Sequence, residues 1–304
     1  MNAQIKAHLA LLLVAIIYGA NYTIAKLLLD NDHVQPMALT LMRVIAGLVL
    51  FWLCHRLLVK EKIANRDLPR FVLCGITGVA LNQMLFIAGL KYTSHINAAL
   101  IMTTTPMLVL AASSILLKEA VTGKKLLGIA LGIAGAAVLI TYGKKFAYYK
   151  EGLIGDAMIF LNALSYGFYL VLVKNLMSRY HPLTVSLWVF AFGILFVIPF
   201  GTYDLISTPM NTFTLPIWMA LAYVLFCTTF LAYLLNAYAL KLVNPSVVSI
   251  YIYLQPLIAT TIALFLGKDE LSAAKVTAGM LIFSGVYLVS FNGKEKSKLG
   301  QPGD

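Results

Sequence analysis

The chain has 304 residues, of which 61% are hydrophobic and 12% are charged, and its formal net charge is +11 at pH 7. Soluble domains carry about 25% charged residues, so this composition excludes a soluble globular protein, whose interior is too small to hide so much apolar surface. The apolar residues form long continuous runs, which excludes a membrane β-barrel, whose strands alternate over about 10 residues. The sequence therefore predicts an all-α polytopic membrane protein.

Ten apolar runs follow one another along the chain, and most of them are about 18–24 residues long. A helix needs about 20 residues to cross the hydrocarbon core of a bilayer, so we predict ten transmembrane helices. The runs cover residues 7–29, 36–58, 68–90, 95–117, 122–141, 153–174, 183–201, 215–239, 246–266 and 272–291.

A long internal repeat organises these runs. The stretch from Asn82 to Glu119 returns as Ala232 to Glu270, and Pro106 and Pro256 are separated by 150 residues. Each half contains five runs, an odd number, so equivalent helices cross the bilayer in opposite directions. The sequence therefore predicts two inverted five-helix repeats, with the domain bounds 1–142, 152–293 and, for a disordered cytosolic tail, 294–304.

The first run ends in Gly19-Ala20, which resembles the cleavage site of a secretory signal. However, Tyr18 and Lys26 recur as Tyr166 and Lys174 in the sixth run, which is internal and cannot be a cleaved leader. We therefore expect the first run to be retained as a transmembrane helix.

The positive charge is unevenly distributed. With a cytosolic N-terminus, cytosolic segments hold about fifteen Lys and Arg residues and the other side about seven, which is the bias that fixes orientation during insertion. We therefore predict an integral protein of the plasma (inner) membrane with both termini in the cytosol, and the bilayer rather than a nucleic acid as its partner. The three cysteines lie in or beside apolar runs, and nothing indicates a disulfide or a metal site.

Several motifs resemble those of the EamA family in the drug/metabolite transporter superfamily, although Tyr18 and Tyr166 stand where tryptophan is usual. This resemblance implies a ten-helix carrier of small metabolites that works by alternating access. The motifs are Ile17 to Tyr22 with Lys26, Arg43, Gly89 to Thr93 with Ala98, Thr105-Pro106, Leu117 to Glu119, Gly155-Asp156 and Ala163 to Tyr166.

Polar side chains line one face of three runs at helical spacing, as in Asn162, Tyr166 and Tyr169. Such groups either join helices by hydrogen bonds or line a polar cavity. Three coincident stripes favour the cavity, whose tyrosines suit aromatic or amphipathic solutes. The predicted cavity residues are Asn21, Asn82, Gln83, Tyr166, Tyr169, Tyr233, Asn236, Tyr253 and Gln255.

Two prolines and one arginine lie well inside apolar runs. Pro106 and Pro256 are predicted to kink their helices, and each kink is either a packing feature or part of the site. The second reading is favoured because both halves keep the proline. Arg43 is predicted to be a structural charge, which snorkels to the interface or holds a carboxylate or a helix C-terminus.

The sequence therefore predicts a secondary transporter, an exporter or facilitator of small neutral or zwitterionic metabolites such as amino acids. The alternatives are an intramembrane enzyme (a protease or lipid transferase) and a regulatory receptor. An enzyme needs a nucleophile with a base, a carboxylate pair or metal ligands at membrane depth, and none is evident, so we expect no enzyme, cofactor or metal. No acidic residue lies near the centre of a run, which disfavours a multidrug cation antiporter.

The oligomeric state is predicted to be a monomer or a homodimer. Gly128, Gly132 and Gly135 share one face of the fifth run. Small residues on one face allow a second helix to approach closely. This face therefore predicts either close packing within the chain or a dimer contact.

Overall fold

The computed structural model describes residues 3–29, 33–93, 98, 101–141, 152–265 and 272–291, and all regular structure in these ranges is helical. Eight of the described helices are long and apolar enough to cross a membrane. These spans are Ala3–Asn21, Pro36–Leu58, Asn65–Gly89, Gly152–Met177, Pro182–Ser207, Leu215–Leu242, Pro245–Ile262 and Ala273–Ser290. The all-helical prediction is confirmed. Residues 143–151 of the predicted linker and the predicted tail, 294–304, lie outside the described residues.

We number the helices in chain order. Seven of them are α-helical over the whole of the range given: α1 Ala3–Leu29, α2 Pro36–Leu58, α4 Thr105–Leu116, α5 Gly123–Thr141, α6 Gly152–Met177, α7 Pro182–Ser207 and α10 Ala273–Phe291. The predicted runs 95–117 and 122–141 correspond to α4 and α5, which are not among the eight long spans. Part of the first of these runs, residues 95–97 and 99–100, lies outside the described residues.

Three helices change their geometry along their length. Helix α3 consists of Leu68–Gly75, a π-helical segment Ile76–Ala80 and Leu81–Tyr92. Helix α8 consists of Leu215–Tyr223, a π-helical segment Val224–Leu231 and Ala232–Leu242. Helix α9 consists of Pro245–Ile250, a 3₁₀ turn Tyr251–Tyr253 and Leu254–Phe265. Such irregular turns often mark functional positions in long helices.

Proline marks where six of these helices begin. Its fixed φ suits the first turn, and its missing N–H is not needed there because that turn has no intrahelical acceptor. Each of these prolines therefore favours the beginning of a helix at its own position. The prolines are Pro36, Pro69, Pro106, Pro182, Pro216 and Pro245.

Helices from the first half of the chain pack mainly on helices from the second half. Helix α2 packs on α7, α5 on α10, α3 on α6 and on α7, and α4 on α6. Helix α1 packs on α8 and on α9, and α2 also contacts α8. The two halves are therefore interleaved rather than joined side by side.

Aromatic rings form the centre of the contact between α2, α7 and α8. The ring centroids of Phe51 and Phe190 are 5.2 Å apart, and those of Phe51 and Phe230 are 4.9 Å apart. Phe190 also meets the Tyr233 ring edge-on at 5.0 Å. Edge-on and tilted rings at these separations stabilise a core beyond the area that they bury. The outer surface is apolar as well, with side chains such as Ile206 80% exposed, as expected for a surface that faces lipid.

The glycine face of α5 is used for packing within the chain. A Cβ on Gly128 would lie 2.8 Å from the carbonyl oxygen of Gly285, and one on Gly135 would lie 2.7 Å from that of Ala278. Gly132 faces the ring of Tyr253 instead. Glycines on α5 thus let α10 and Tyr253 approach its backbone, which is the first of the two predicted uses of this face.

Replacing Gly132 by alanine is expected to destabilise the fold by about 1–3 kcal/mol. The new Cβ would lie 2.2 Å from Cδ2 of Tyr253, whose fully buried ring has no space to move into. Thermal unfolding in detergent measures the effect. Gly123→Ala is the matched control, because no described residue lies within 4 Å of a Cβ at that position of the same helix. An equal melting temperature for both variants contradicts this packing.

Candidate functional site

A small cavity lies between α1, α6, α8 and α9. Its volume is about 20 Å³, which is enough for a single water molecule and leaves no room for a metabolite in this conformation. One part of its wall is aliphatic and the other carries tyrosine and amide side chains. The lining residues are Leu11, Val14, Ala15, Tyr18, Tyr166, Asn236, Val248, Tyr251, Ile252 and Gln255.

Three of the nine predicted cavity residues line this cavity, namely Tyr166, Asn236 and Gln255. Tyr18 and Tyr251 line it too, although neither was predicted. Tyr18 could have been predicted from the sequence, because it is the repeat partner of Tyr166, which was predicted to line the cavity. Tyr251 falls outside the polar stripe of the ninth run, which is Ser249, Tyr253 and Pro256.

Tyr233, Gln83 and Gly78 form a buried polar group next to the cavity. The Tyr233 hydroxyl donates to the carbonyl oxygen of Gly78 at 3.1 Å and accepts from Nε2 of Gln83 at 3.5 Å. Gly78 lies in the π-helical segment of α3, and its missing side chain makes room for the ring of Tyr169, which a Cβ would approach to 2.2 Å. Tyr169 is 7% exposed. Tyr169 and Tyr233 therefore pack and position α3 against α6 and α8.

The polar stripe of α6 also joins helices. Asn162 donates from Nδ2 to the backbone carbonyl oxygen of Asn82, and Ser165 donates to that of Thr77 at 2.8 Å. Both bonds connect α6 to α3. Such bonds between membrane helices contribute about 0.6 kcal/mol each. Asn82 makes this contact through its backbone rather than through its amide side chain.

The structure places both predicted kink prolines in a first helical turn. Pro106 is the second residue of α4, after the turn at Thr103 and Thr104, and Pro256 is the third residue of Leu254–Phe265, after the 3₁₀ turn. Tyr253 joins these two breaks, because its hydroxyl donates to the carbonyl oxygen of Thr103 at 2.9 Å. Tyr253 is fully buried, so it is a packing residue in this conformation.

Arg43 and Asn21 lie within membrane-spanning helices. Nε of Arg43 donates to Oγ1 of Thr229 at 3.0 Å, and Thr229 in turn donates to the carbonyl oxygen of Val224 at 3.0 Å. Arg43 has no carboxylate within ion-pair distance among the residues that the structure describes. Asn21 is partly buried, and its Oδ1 is a buried atom without a hydrogen-bond partner in the described ranges.

A second polar group, here named the Glu119 cluster, consists of Glu119, Lys125, Lys174 and Ser246. Oε1 of Glu119 accepts from the Ser246 hydroxyl at 2.6 Å and lies 3.2 Å from Nζ of Lys125. Nζ of Lys174 donates to the carbonyl oxygens of Leu240 and Val243 at 2.5 and 2.7 Å. Glu119 therefore ties the connection between α4 and α5 to the start of α9 through Ser246. Lys174 ties the end of α6 to the end of α8 at Val243, three residues before Ser246. The sequence had singled out Glu119 as a marker of the repeat and as part of a family motif, and Lys174 as a marker of the repeat.

The Glu119 cluster is buried, which raises the free energy needed to separate its members. Glu119, Lys125 and Ser246 are 9%, 7% and 1% exposed. Lys118 precedes the carboxylate with a φ of 55°, a left-handed conformation that few non-glycine residues adopt. The backbone of Lys118 is therefore strained where the chain turns back, and this turn places Glu119 against α9.

Another cluster joins the connection before α3 to the connection before α7. Oδ1 of Asp67 lies 2.7 Å from Nη1 of Arg179, and Oδ2 accepts from the Tyr180 hydroxyl at 2.8 Å. The Tyr180 hydroxyl accepts from the backbone N–H of Ala64 at 3.0 Å. Beside it, the backbone N–H of His181 donates to Glu61 at 2.9 Å.

We expect His181 to make stability fall below about pH 6.5, its ordinary pKa. Burial first, and then the nearby Lys241, lower the pKa of His181. Its Nδ1 accepts from the N–H of Leu183 and so caps α7. Because the folded state lowers this pKa, the stabilisation is present above the unfolded pKa and is lost as the pH falls.

The measurement is the melting temperature from about pH 7.5 down to about pH 5.5. His181→Asn is the comparison, because asparagine also caps helices but does not titrate in this range. The wild type should lose more stability than the variant over this interval. Equal losses would show that the His181 cap does not respond to pH.

The described residues contain no group of three or more His, Cys, Asp or Glu side chains that could hold a metal ion. They contain several long apolar helices, a small cavity with tyrosine and amide walls, and a buried ionic cluster at one end of the bundle. Such an arrangement is typical of polytopic membrane proteins that move solutes.

Comparison with known proteins identifies the class. The model of the EamA-like transporter family matches residues 5–141 and 153–291. The chain therefore belongs to the EamA-like transporter family and is an integral membrane transporter. The predicted family and the predicted general function are confirmed, and the relatives are named as transporters rather than as enzymes.

Individual relatives align along nearly the whole chain. The chain is 27% identical to the uncharacterized transporter YyaM of Bacillus subtilis (strain 168), over 97% of this chain and 99% of the relative. It is 26% identical to the probable terminal-alkyne amino-acid exporter of Streptantibioticus cattleyicolor, over 94% of this chain and 93% of the relative. A solved crystal structure matches with a TM-score of 0.77 and 18% identity, over 94% of this chain and 96% of that one, which shows the fold alone.

Proposed function

We propose that this transporter is a ten-helix carrier, built from two inverted five-helix repeats, that moves small neutral or zwitterionic metabolites by alternating access. Amino acids and similar aromatic or amphipathic solutes are the proposed substrates. The observation that carries the proposal is the cavity with tyrosine and amide walls, which lies between α1 of the first half and α6, α8 and α9 of the second. Sites between repeats are usual in secondary transporters.

The packing pattern supports the repeat. In the proposed repeat, α1 is equivalent to α6, α2 to α7, α3 to α8, α4 to α9 and α5 to α10. When each helix is replaced by its equivalent, the contact of α3 with α6 becomes that of α8 with α1. The contact of α4 with α6 becomes that of α9 with α1, and α3 with α7 becomes α8 with α2. All six contacts are present, and the pairs α2 with α7 and α5 with α10 map onto themselves. A pseudo-two-fold axis between the halves gives this pattern.

Two contacts between repeat partners support the same axis. Gln83 and Tyr233 are hydrogen-bonded and are separated by 150 residues, and so are Thr103 and Tyr253. The repeat shift in this region is also 150 residues, so each pair joins equivalent positions. Equivalent positions meet only near a two-fold axis. The π-helical segments Ile76–Ala80 and Val224–Leu231 also lie at matching positions.

The described contacts between helix ends agree with ten crossings. With a cytosolic N-terminus, ten crossings place the α4–α5, α6–α7 and α8–α9 connections on the cytosolic side, and the Glu119 cluster joins all three regions. The contact of Asp67 with Arg179 likewise joins two connections of that side. We therefore propose that the Glu119 cluster closes the cytosolic end of the carrier in the plasma membrane.

The nature of the lining supports a neutral or zwitterionic substrate. Among the described residues, no acidic side chain lines the cavity, so a simple cation would find no counter-ion there. Tyrosine rings offer flat amphipathic walls, and amides offer donors and acceptors. One relative is named as an amino-acid exporter, which is consistent with this class of substrate.

The mechanism follows from the volume of the cavity. A space for one water must expand before a metabolite enters, so the helices around it must separate at one end or the other. We propose that separation at the Glu119 cluster gives access from the cytosol, and that the equivalent movement of the other repeat gives access from the opposite side. Binding in the cavity then couples the two movements.

Uptake into proteoliposomes tests the proposed function. Purified protein is reconstituted and offered a mixture of radiolabelled L-amino acids, with empty liposomes as the control. The proposal predicts uptake that saturates and that is accelerated by unlabelled amino acids inside the vesicles, as expected of a carrier. Uptake equal to that of empty liposomes for every component would count against the proposed substrate class.

A further inference from the structure

Arg43 is a cation inside a membrane-spanning helix. It is seven residues beyond the start of α2 at Pro36, or about 10 Å along the helix. Its only hydrogen bond in the described ranges is from Nε to Thr229, and no described carboxylate lies within ion-pair distance. A charge at such depth is costly, and it is retained mostly where it pairs with a partner or a substrate.

The terminal nitrogens of the Arg43 guanidinium group are available. They make no hydrogen bond to a described residue, yet neither is among the buried polar atoms without a partner. They therefore reach accessible space. Thr229 is fully buried and fixed by its own bond to Val224, so it holds the guanidinium from the Nε side. A guanidinium held in this way presents a fork that matches a carboxylate.

Arg43 is joined to the cavity through α8. It bonds to Thr229, and Tyr233 and Asn236 follow Thr229 along α8 at helical spacing; Asn236 lines the cavity. Tyr18 lines the cavity together with Tyr166. A solute that occupies an expanded cavity can therefore place one end near Arg43 and the other against the ring of Tyr166.

Gln83 supplies an acceptor near the same tyrosine. The single proton of the Tyr233 hydroxyl is donated to Gly78, so this hydroxyl must accept from Gln83. This requirement fixes the amide with Nε2 toward Tyr233. Oε1 of Gln83 is then a buried acceptor with no hydrogen-bond partner in the described ranges. A buried acceptor without a partner costs about 1–3 kcal/mol, which an ammonium donor would offset.

We propose that Arg43 binds the carboxylate of the transported substrate and that Oε1 of Gln83 accepts from its ammonium group. This inference rests on the proposed function and narrows it to solutes that carry a carboxylate, with α-amino acids as the best match. Arg43 is then a specificity-determining residue. Solutes without the carboxylate leave the guanidinium unmatched in a low-dielectric site and are rejected.

Competition on the wild-type protein is the first test. Uptake of the labelled L-amino-acid mixture is measured in proteoliposomes with an excess of the unlabelled decarboxylated amines, or of the unlabelled amino acids. We expect the amino acids to compete and the amines to compete at least about tenfold more weakly. Equal competition by the amines overturns the role of Arg43 and leaves the proposed transporter function intact.

Substitution of Arg43 is the second test. Arg43→Gln is expected to reduce uptake at low substrate concentration by about tenfold or more, and Arg43→Lys, which keeps the charge but loses the fork, by less. Arg56→Gln is the matched control on the same helix, because Arg56 lies over the Trp52 ring at 5.8 Å and away from the cavity.

The outcomes separate the two proposals. Full uptake by Arg43→Gln overturns this inference alone. If Arg43→Gln does not fold, Arg43→Lys and the competition on wild type decide, since neither needs that variant. No uptake of any amino acid by the wild type counts against the proposed function, and with it against this inference.

Discussion

Tyr166→Ala is expected to reduce amino-acid uptake by about tenfold or more while the protein stays folded, and Tyr253→Ala is expected to unfold it. Tyr166 lines the cavity and is only partly buried, whereas Tyr253 is fully buried, fills the space over Gly132 and bonds to Thr103. Replacing a buried aromatic residue by alanine costs about 3–5 kcal/mol.

The two effects are separated by measuring uptake and thermal unfolding on the same preparations. Tyr253→Phe is the control for packing, because it keeps the ring and loses only the bond to Thr103, worth about 0.5–1.5 kcal/mol. An equal loss of stability in Tyr166→Ala and Tyr253→Ala would mean that Tyr166 is a packing residue. Normal uptake by Tyr166→Ala would remove it from the substrate site.

Glu119→Ala is expected to open the end of the bundle that the Glu119 cluster closes. The substitution removes the acceptor of Ser246 and the carboxylate beside Lys125, both in a buried setting. Loss of one partner of a buried polar contact costs about 1–3 kcal/mol, and more for charged groups, which corresponds to a shift of about fivefold or more in the equilibrium between closed and open.

A cysteine at Val248 reports this opening, because Val248 lines the cavity near the cluster. Its reaction with a membrane-impermeant maleimide from the proposed cytosolic side should accelerate in Glu119→Ala. Glu61→Ala is the control, since Glu61 bonds to His181 in a neighbouring connection and has no contact with the cluster. An unchanged rate in Glu119→Ala would mean that the cluster does not hold the bundle closed.

The helices themselves were predictable because continuous apolar runs of about 20 residues have few other stable forms. The membrane class and the family followed from these runs and from motifs such as Thr105-Pro106. The face that each helix turns toward the cavity was harder to predict. The polar stripe of α9 in the sequence is Ser249, Tyr253 and Pro256, whereas its cavity face is Val248, Tyr251, Ile252 and Gln255. Both sets have helical spacing, and polarity selected the wrong one because Val248 and Ile252 are apolar.

The sequence did not show which residues far apart in the chain contact one another. Arg43 and Thr229 are 186 residues apart, and Glu119 and Ser246 are 127 apart. The sequence showed that Arg43 lies inside a run, but not which group binds it. The repeat did predict which positions are equivalent, and the contacts of Gln83 with Tyr233 and of Thr103 with Tyr253 follow that equivalence.

Alternating access exposes the cavity to each side of the membrane in turn, so a single cysteine at Gln255 should be reached from both sides. Gln255 lines the cavity, and the native Cys54, Cys74 and Cys227 are first replaced by serine or alanine. Membrane-impermeant maleimide is then applied to right-side-out and to inside-out vesicles. We expect the cysteine to react from both faces and an amino-acid mixture to slow both reactions. Reaction from one face only, with or without the amino acids, would contradict alternating access.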